Sequence, residues 1–184
     1  MRIAVAGTHC SGKTTLIDDF VEAHPEYRAE PEPYDLLLEL GEEFPAEPSA
    51  EDFLRQLEAG LGQWSALRRY ERVICERSPY DFLAYLRALA DLGRDETGSF
   101  ETAREWVRDA GPLFDLIVYL PIGRPSTVSA PADEDPELRA AMDECLGNIL
   151  VDNAFGLLDG GAPALCVATG SPAARLDAVR RRVR

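Results

Sequence analysis

The chain has 184 residues, of which 46% are hydrophobic and 28% are charged. This length and balance predict one folded domain with a core of ordinary size, and they exclude a disordered chain. The formal net charge of −14 excludes a protein that wraps a nucleic-acid backbone with its whole surface, although a few arginines can still form a local positive pocket.

The hydrophobic pattern predicts strands that alternate with helices. In chain order we expect a strand at residues 2–6, a helix at 14–24, a strand at 27–30, helices at 34–40 and 52–70, a strand at 72–76, helices at 79–92 and 101–110, a strand at 116–120, a helix at 136–158, a strand at 164–168 and a helix at 172–183. Such alternation predicts a three-layer α/β fold, in which a five-stranded parallel sheet carries helices on both faces.

Membrane and metal-cluster signals are missing from the sequence. No apolar run reaches the roughly 18 residues that a membrane span needs, and the apolar run at residues 3–6 is too short for a signal peptide. The four cysteines lie far apart without Cys-x-x-Cys spacing, so neither a zinc site nor a disulfide framework is expected. We therefore expect a cytoplasmic protein without membrane or nucleic-acid partners.

A glycine-rich loop between the first strand and the first helix matches the phosphate-binding pattern G-x-x-x-x-G-K-[ST]. With the threonine that follows, its residues are Gly7, Thr8, His9, Cys10, Ser11, Gly12, Lys13, Thr14 and Thr15. The glycines let backbone N–H groups face phosphate oxygens, and the helix directs its positive end at the same group. We expect Lys13 to bridge the β- and γ-phosphates of ATP, and the Thr14 hydroxyl to hold Mg²⁺.

Lysine usage supports this interpretation of the loop. The chain has 19 basic residues, and Lys13 is the only lysine among them. All the remaining basic residues are arginines. The single lysine therefore indicates that position 13 needs an ammonium group.

Three classes of phosphate-loop protein compete. A GTPase needs an Asn-Lys-x-Asp element to read guanine, and a chain whose only lysine is Lys13 has none. A motor or helicase ATPase needs an apolar strand that ends in two acids, whereas Glu76-Arg77 and Pro121 close the two candidate strands. A small-molecule kinase needs one acid near Mg²⁺, arginines for the transferred charge and a base for the acceptor, and the sequence offers all three.

Segments beyond the loop resemble deoxynucleoside kinases. Residues 75–81 (Cys-Glu-Arg-Ser-Pro-Tyr-Asp) look like their Glu-Arg-Ser segment, residues 31–33 (Pro-Glu-Pro) resemble their Glu-Pro element, and helix 52–70 stands where they carry a glutamine-bearing helix. The similarity extends to thymidylate kinases and ribosylnicotinamide kinases and covers most of the chain in order of elements. It implies one P-loop kinase domain at residues 1–184, with a lid at about residues 122–139.

The resemblance, together with the strand ends, implies roles for four acidic or basic residues. Glu32 is expected to be the general base, with Glu30 in reserve. Glu76 is expected to bind Mg²⁺ through water. Arg77 is expected to contact the acceptor or the moving phosphoryl group, and an internal salt bridge from Arg77 to Glu32 or Glu30 is compatible with that role.

Three further arginines are candidates for ATP contacts. Arg124 and Arg139, in the expected lid, are alternatives for closing over the γ-phosphate. Gly170 follows the fifth strand, where related kinases place adenine, and Arg175 is expected to stack on that ring. The aspartate after Glu-Arg-Ser falls one residue earlier than in the family, at Asp81.

The sequence thus predicts an ATP-dependent kinase that acts on a hydroxyl or phosphate of a small molecule, with a nucleoside or nucleotide-like compound as the leading candidate. Two alternatives stay open: a kinase of another metabolite or of an antibiotic hydroxyl, and a non-catalytic ATP-binding switch. Helices 52–70 and 79–92 offer a possible homodimer face.

Overall fold

The computed structural model describes residues 1–122, 135–159 and 163–183. In chain order its elements are β1 (Arg2–Ala6), α1 (Lys13–Ala23), β2 (Arg28–Glu30), α2 (Pro33–Glu39), α3 (Ala50–Ala66), β3 (Val73–Glu76), α4 (Pro79–Asp91), α5 (Ser99–Ala110), β4 (Leu116–Tyr119), α6 (Pro136–Leu150), β5 (Ala164–Val167) and α7 (Pro172–Arg180). Arg124 and most of the expected lid lie outside the described residues.

The sheet has five parallel strands in the order β2-β3-β1-β4-β5. The central strand β1 pairs with β3 on one side and with β4 on the other, so that Ala4 lies opposite both Cys75 and Ile117. Because all strands run the same way, the residues that follow β1, β2 and β3 meet at one edge of the sheet. Ligands bind at this edge in open α/β sheets.

Alternate residues of β1 divide the core between two helical layers. Ile3 and Val5 belong to a cluster formed with α1 and α7, whereas Ala4 and Ala6 face the larger cluster that contains α3, α4, α5 and α6. The three central strands β1, β3 and β4 are buried on both faces, which explains their nearly continuous apolar runs, whereas the edge strand β2 is largely exposed. The expected three-layer P-loop fold is confirmed.

Helix α6 is shorter than expected. The sequence pattern predicts a helix at residues 136–158, but the helix ends at Leu150. Asn153 and Gly156 have positive φ angles of 49° and 62°, which an α-helix does not accommodate. The side-chain oxygen of Asn153 accepts a hydrogen bond from the Leu158 N–H at 3.0 Å and fixes a turn in place of the predicted last turns.

Helix α4 lies inside the protein. Ten of its residues are buried, among them Tyr80 and Tyr85, and it packs against α3, α5 and α6. The apolar side chains of α4 therefore serve the core of one chain, and the homodimer stays a prediction. No helix in the described ranges has both the length and the apolar composition for a membrane crossing.

Candidate functional site

Two glycines give the loop after β1 its shape. Gly7 has a φ of 153°, and a β-carbon there would lie 2.8 Å from the Leu120 carbonyl oxygen and 2.7 Å from Ser11 Oγ. Gly12 has a φ of 92° and immediately precedes α1. Only glycine adopts the backbone conformation of Gly7 without a clash. The turn at Gly12 brings the first N–H groups of α1 to the sheet edge.

Lys13 is the first residue of α1, directly after the turn at Gly12. Its side chain is only 4% exposed, its Nζ donates to the Thr8 carbonyl oxygen at 3.1 Å, and the same atom lies 3.7 Å from Glu76 Oε1. Burial, aided by the positive charge of Arg77, lowers the pKa of Lys13 to about 8. The ammonium group is therefore mainly protonated at pH 7, and an incoming anion would stabilise its charge further.

Thr14 and Glu76 form the second part of the site. The Thr14 hydroxyl lies 3.0 Å from one carboxylate oxygen of Glu76 and 3.2 Å from the other. Glu76 is the last residue of β3, and burial raises the pKa of its carboxyl group, an effect that Lys13 partly offsets. The strand end and the first turn of the helix thus place a hydroxyl group and a carboxylate group side by side.

Arg77 and Glu32 form a largely buried ion pair beside the loop. The Arg77 side chain is 2% exposed, and its Nε donates to Glu32 Oε2 at 3.2 Å. Burial alone would raise the pKa of Glu32, but the charges of Arg77 and Lys13 outweigh it and hold that pKa below its usual value. Glu32 is therefore ionised at neutral pH.

Glu30, the reserve candidate for the base, faces a different partner. Its Oε1 lies 2.5 Å from Arg28 Nε, within the outer strand β2. Its place in the sheet register is opposite Cys75, one residue before Glu76. Between the two expected candidates, the structure places Glu32 against Arg77 and the phosphate loop.

Arg77 adopts a backbone conformation that is rare for a residue with a side chain. Its φ is 73°, in the left-handed region that costs an L-residue roughly 1–2 kcal/mol. Its N–H donates to the Val5 carbonyl oxygen at 3.0 Å, and its Nη1 donates to the Gly7 carbonyl oxygen at 2.8 Å. This turn directs the guanidinium group back under the loop toward Glu32 and Asp81.

Asp81 has a role that the sequence reasoning missed. Its buried carboxylate accepts hydrogen bonds from the Gly7 N–H at 2.9 Å, from the Ser78 N–H at 2.9 Å and from the Ser78 hydroxyl at 2.6 Å. Ser78 and Asp81 form a capping box at the start of α4. The sequence Ser78-Pro79-Tyr80-Asp81 carried this signal, since Ser-x-x-acid before an apolar run is typical of such a box. Asp81 therefore joins the core helix to the phosphate loop.

We expect Asp81→Ala to lower the free energy of unfolding by about 3 kcal/mol, because it leaves the buried N–H groups of Gly7 and Ser78 without their acceptor and removes one of the two acids that face Arg77. The control is Asp91→Ala on the same helix. The exposed Arg87–Asp91 pair has the same four-residue spacing as Arg77–Asp81, and its loss should cost about 0.5 kcal/mol. Urea unfolding of the three proteins measures both values, and equal losses would contradict the role given to Asp81.

The remaining candidates surround the loop. Arg139 Nε donates to the His9 carbonyl oxygen at 3.0 Å, and Arg175 Nη1 donates to the Ser11 carbonyl oxygen at 2.6 Å. Gly170, with a φ of 89°, comes one residue before the N-cap of α7. These contacts bring α6 and α7 against the loop from two sides.

His9 is an exposed residue, but one side of its imidazole ring lies against buried side chains. The ring Nε2 lies 3.5 Å from Arg77 Nη2, and the ring centroid is 6.0 Å from that of Tyr85. Desolvation of this side of the ring and the charge of Arg77 lower the pKa of His9 to about 3. The imidazole is therefore neutral at pH 7.

Comparison with solved structures finds nucleoside and nucleotide kinases. Deoxyadenosine kinase from M. mycoides with bound dATP is similar with a TM-score of 0.69 and 13% identity, over 100% of this chain and 99% of that one. Thymidylate kinase from Candida albicans is similar with a TM-score of 0.72 and 16% identity, over 99% of this chain and 90% of that one. The NadR protein in complex with NR is similar with a TM-score of 0.66 and 20% identity, over 98% of this chain and 50% of that one.

A search of the curated proteins gives no match. A family model described as AAA domain matches residues 2–159, most of the chain. The phosphate loop, the parallel sheet and the likeness to P-loop kinases agree with that match. The chain belongs to the AAA domain family, and its fold is that of a P-loop nucleoside or nucleotide kinase.

Proposed function

We propose that this protein is an ATP-dependent kinase that transfers the γ-phosphoryl group to a hydroxyl or phosphate of a small molecule, specifically a nucleoside or nucleotide-like compound. The observation that carries the proposal is the buried Glu32–Arg77 pair beside the phosphate loop. An ionised carboxylate beside the phosphate loop is able to accept the proton of an acceptor hydroxyl, as a kinase requires.

Charge placement supports phosphoryl transfer. Lys13 and Arg77 put two buried cations next to the loop of a protein whose net charge is −14. The transition state of phosphoryl transfer spreads negative charge over the equatorial oxygens, so catalysis depends mainly on positioning and on fixed positive charge. These two side chains supply that charge without a large rearrangement, since hydrogen bonds to the Thr8 and Gly7 carbonyl oxygens already hold them.

Glu32 is proposed as the general base. As the acceptor oxygen forms its bond to the γ-phosphorus, the bond from that phosphorus to the bridging oxygen breaks and ADP leaves. The proton of the acceptor hydroxyl passes to the Glu32 carboxylate and then to solvent. The lowered pKa of Glu32 keeps the carboxylate ionised before the reaction, so that it is able to accept the proton.

Thr14 and Glu76 fit a Mg²⁺ ion bound with ATP. Within the described ranges no group of three or more His, Cys, Asp or Glu residues is arranged to hold a metal. Mg²⁺ in phosphoryl-transfer sites usually takes one or two protein oxygens and completes its shell with water and phosphate, and the adjacent Thr14 hydroxyl and Glu76 carboxylate match that need. When bound, the ion would neutralise charge on the phosphates.

We infer the chemical class of the phosphoryl acceptor from the residues that surround Glu32. Gln63 of α3 donates from its Nε2 to the Pro31 carbonyl oxygen at 3.0 Å, so the glutamine-bearing helix packs on the segment that carries Glu32. On the same helix, Phe53 stacks on Tyr85 at a centroid distance of 4.3 Å. The resemblance to deoxynucleoside kinases implies that a nucleoside binds beside this helix, and the similar solved structures include deoxyadenosine kinase with dATP.

We expect ATP to bind more tightly than GTP. The sequence has no lysine besides Lys13, so it has no lysine-containing element that reads guanine, and residues 169–172 lie where related kinases place adenine. Calorimetry with the two nucleotides at the same Mg²⁺ concentration measures the difference. A lower dissociation constant for GTP would contradict this expectation.

A screen of ATP consumption tests the proposed function. The panel should contain nucleosides, nucleoside monophosphates, ribosylnicotinamide-type compounds and hydroxyl-bearing antibiotics, each with the unaltered protein and with Lys13→Ala. We expect acceptor-dependent ADP formation with a nucleoside or nucleotide. Turnover that is equally fast without any acceptor would instead indicate an ATPase, and tight ATP binding without turnover would indicate a switch protein.

A further inference from the structure

The backbone carbonyl groups of residues 7–11, the first five residues of the phosphate loop, are all held by cationic side chains. The pairs, in loop order, are Gly7 with Arg77 at 2.8 Å, Thr8 with Lys13 at 3.1 Å, His9 with Arg139 at 3.0 Å, Cys10 with Arg139 at 3.5 Å and Ser11 with Arg175 at 2.6 Å. We call these four side chains, Lys13, Arg77, Arg139 and Arg175, the carbonyl collar. Two of its members come from α6 and α7, outside the loop pattern.

The collar constrains the direction of the loop N–H groups. A trans peptide is planar, so that its C=O and the following N–H point in opposite directions. A donor that holds the Ser11 carbonyl on the outside therefore turns the Gly12 N–H toward the inside of the loop. Phosphate oxygens bind to such inward N–H groups. A carbonyl turned inward would instead repel them.

Arg175 makes the shortest contact in the collar. It reaches the loop from α7, 164 positions along the chain from Ser11. A β-carbon on Gly12 would lie 3.0 Å from Arg175 Nη1, so the guanidinium group packs closely on the Ser11–Gly12 peptide. Helix α7 is fixed on α1 by the cluster that contains Val179 and Phe20, which gives the arginine a rigid base.

We propose that Arg175 is a positioning residue for polyphosphate binding. It acts by fixing the Ser11–Gly12 peptide and does not act by contact with the adenine ring. The ligand it serves is the phosphate chain, whatever base is attached. The inference rests on the proposed nucleotide binding, and it assigns to the C-terminal helix a part in phosphate recognition.

A ligand without a base separates the two roles of Arg175. Binding of MgATP and of Mg-tripolyphosphate is measured by calorimetry for the unaltered protein, Arg175→Ala, Arg175→Lys and the control Arg180→Ala, an exposed arginine of the same helix. Loss of one charge-assisted hydrogen bond should weaken both ligands by the same factor, about tenfold. Lysine, which also donates to a carbonyl, should restore most of the affinity, and Arg180→Ala should change neither ligand.

Three results would overturn the proposal. If Arg175→Ala weakens MgATP but leaves tripolyphosphate unchanged, the arginine contacts the base. If it changes neither ligand, the contact with Ser11 has no part in binding. Equal loss for both ligands with no rescue by lysine would also count against it, because a lysine keeps the carbonyl donor.

Amide hydrogen exchange tests the same inference without any ligand. The Leu16 N–H donates to the Gly12 carbonyl oxygen at 3.1 Å in the first turn of α1. Release of the Ser11–Gly12 peptide in Arg175→Ala should loosen this bond and speed exchange at Leu16, and Arg175→Lys should reverse the effect. Unchanged exchange would refute the positioning role. If the unaltered protein bound neither MgATP nor tripolyphosphate, the proposed function would fail, and the exchange result would still decide whether Arg175 holds the Ser11–Gly12 peptide in place.

Discussion

Lys13→Ala is expected to lower the rate of phosphoryl transfer by a factor on the order of 10³ or more, because it removes a fixed charge from the transferred group. The change leaves only a small void next to the Thr8 carbonyl oxygen, so the fold should persist. The rate is measured with the best acceptor from the screen, and circular dichroism confirms the fold. Unchanged kcat would remove the kinase proposal altogether.

Lys13→Arg keeps the positive charge and tests whether charge alone is enough at this position. The side chain at this position is 4% exposed, and a guanidinium group is longer, planar and not interchangeable with a compact ammonium group. We expect the arginine variant to be nearly as slow as the alanine variant. The result would explain why a chain that otherwise uses arginine retains one lysine.

Glu32→Gln is expected to lower kcat by about 10²–10⁴-fold, the usual contribution of a general base. Affinity for ATP should change little, since glutamine keeps the size of the side chain and an oxygen acceptor for Arg77 Nε. Single-turnover measurements at saturating ATP separate the chemical step from binding.

Glu30→Gln is the matched control for Glu32→Gln. Glu30 lies two residues earlier and pairs with Arg28 within β2, so we expect its loss to leave kcat unchanged. If Glu30 alone carried the effect, the base would be the other acid of the segment. If neither mattered, transfer would proceed without a carboxylate base, and the resemblance to deoxynucleoside kinases would mislead at Glu32.

The three central strands of the sheet were predictable because they are buried on both faces. Residues 2–6 form a short apolar run that stops at Gly7, and β1 has these bounds in the structure. The end of α6 was not predictable from apolar spacing, because that spacing continues past Leu150 while Asn153 and Gly156 turn the backbone. The burial of α4 depends on the packing of three other helices around it, which periodicity along one segment does not show.

The site was predictable where chemistry depends on local spacing. The loop pattern led to Lys13 and Thr14, and the strand ends led to Glu32 and Glu76. The contact between Asp81 and the Gly7 N–H joins residues 74 positions apart, and the contact between Arg175 and Ser11 joins residues still farther apart. Such contacts depend on how α4 and α7 dock on the sheet, so they emerge only from the folded structure.

The left-handed backbone of Arg77 has a consequence for how this protein can change over generations. Glycine, which relaxes such a φ angle, provides no charge for Glu32 and Asp81, and any other side chain keeps the strain without the planar fork that meets both acids. Every single replacement at this position therefore loses either the charge or the two-sided contact. A new chemistry here would require coordinated replacement of the arginine and at least one acid, so we expect new acceptor preferences to arise by substitutions around this pair, with the pair itself kept.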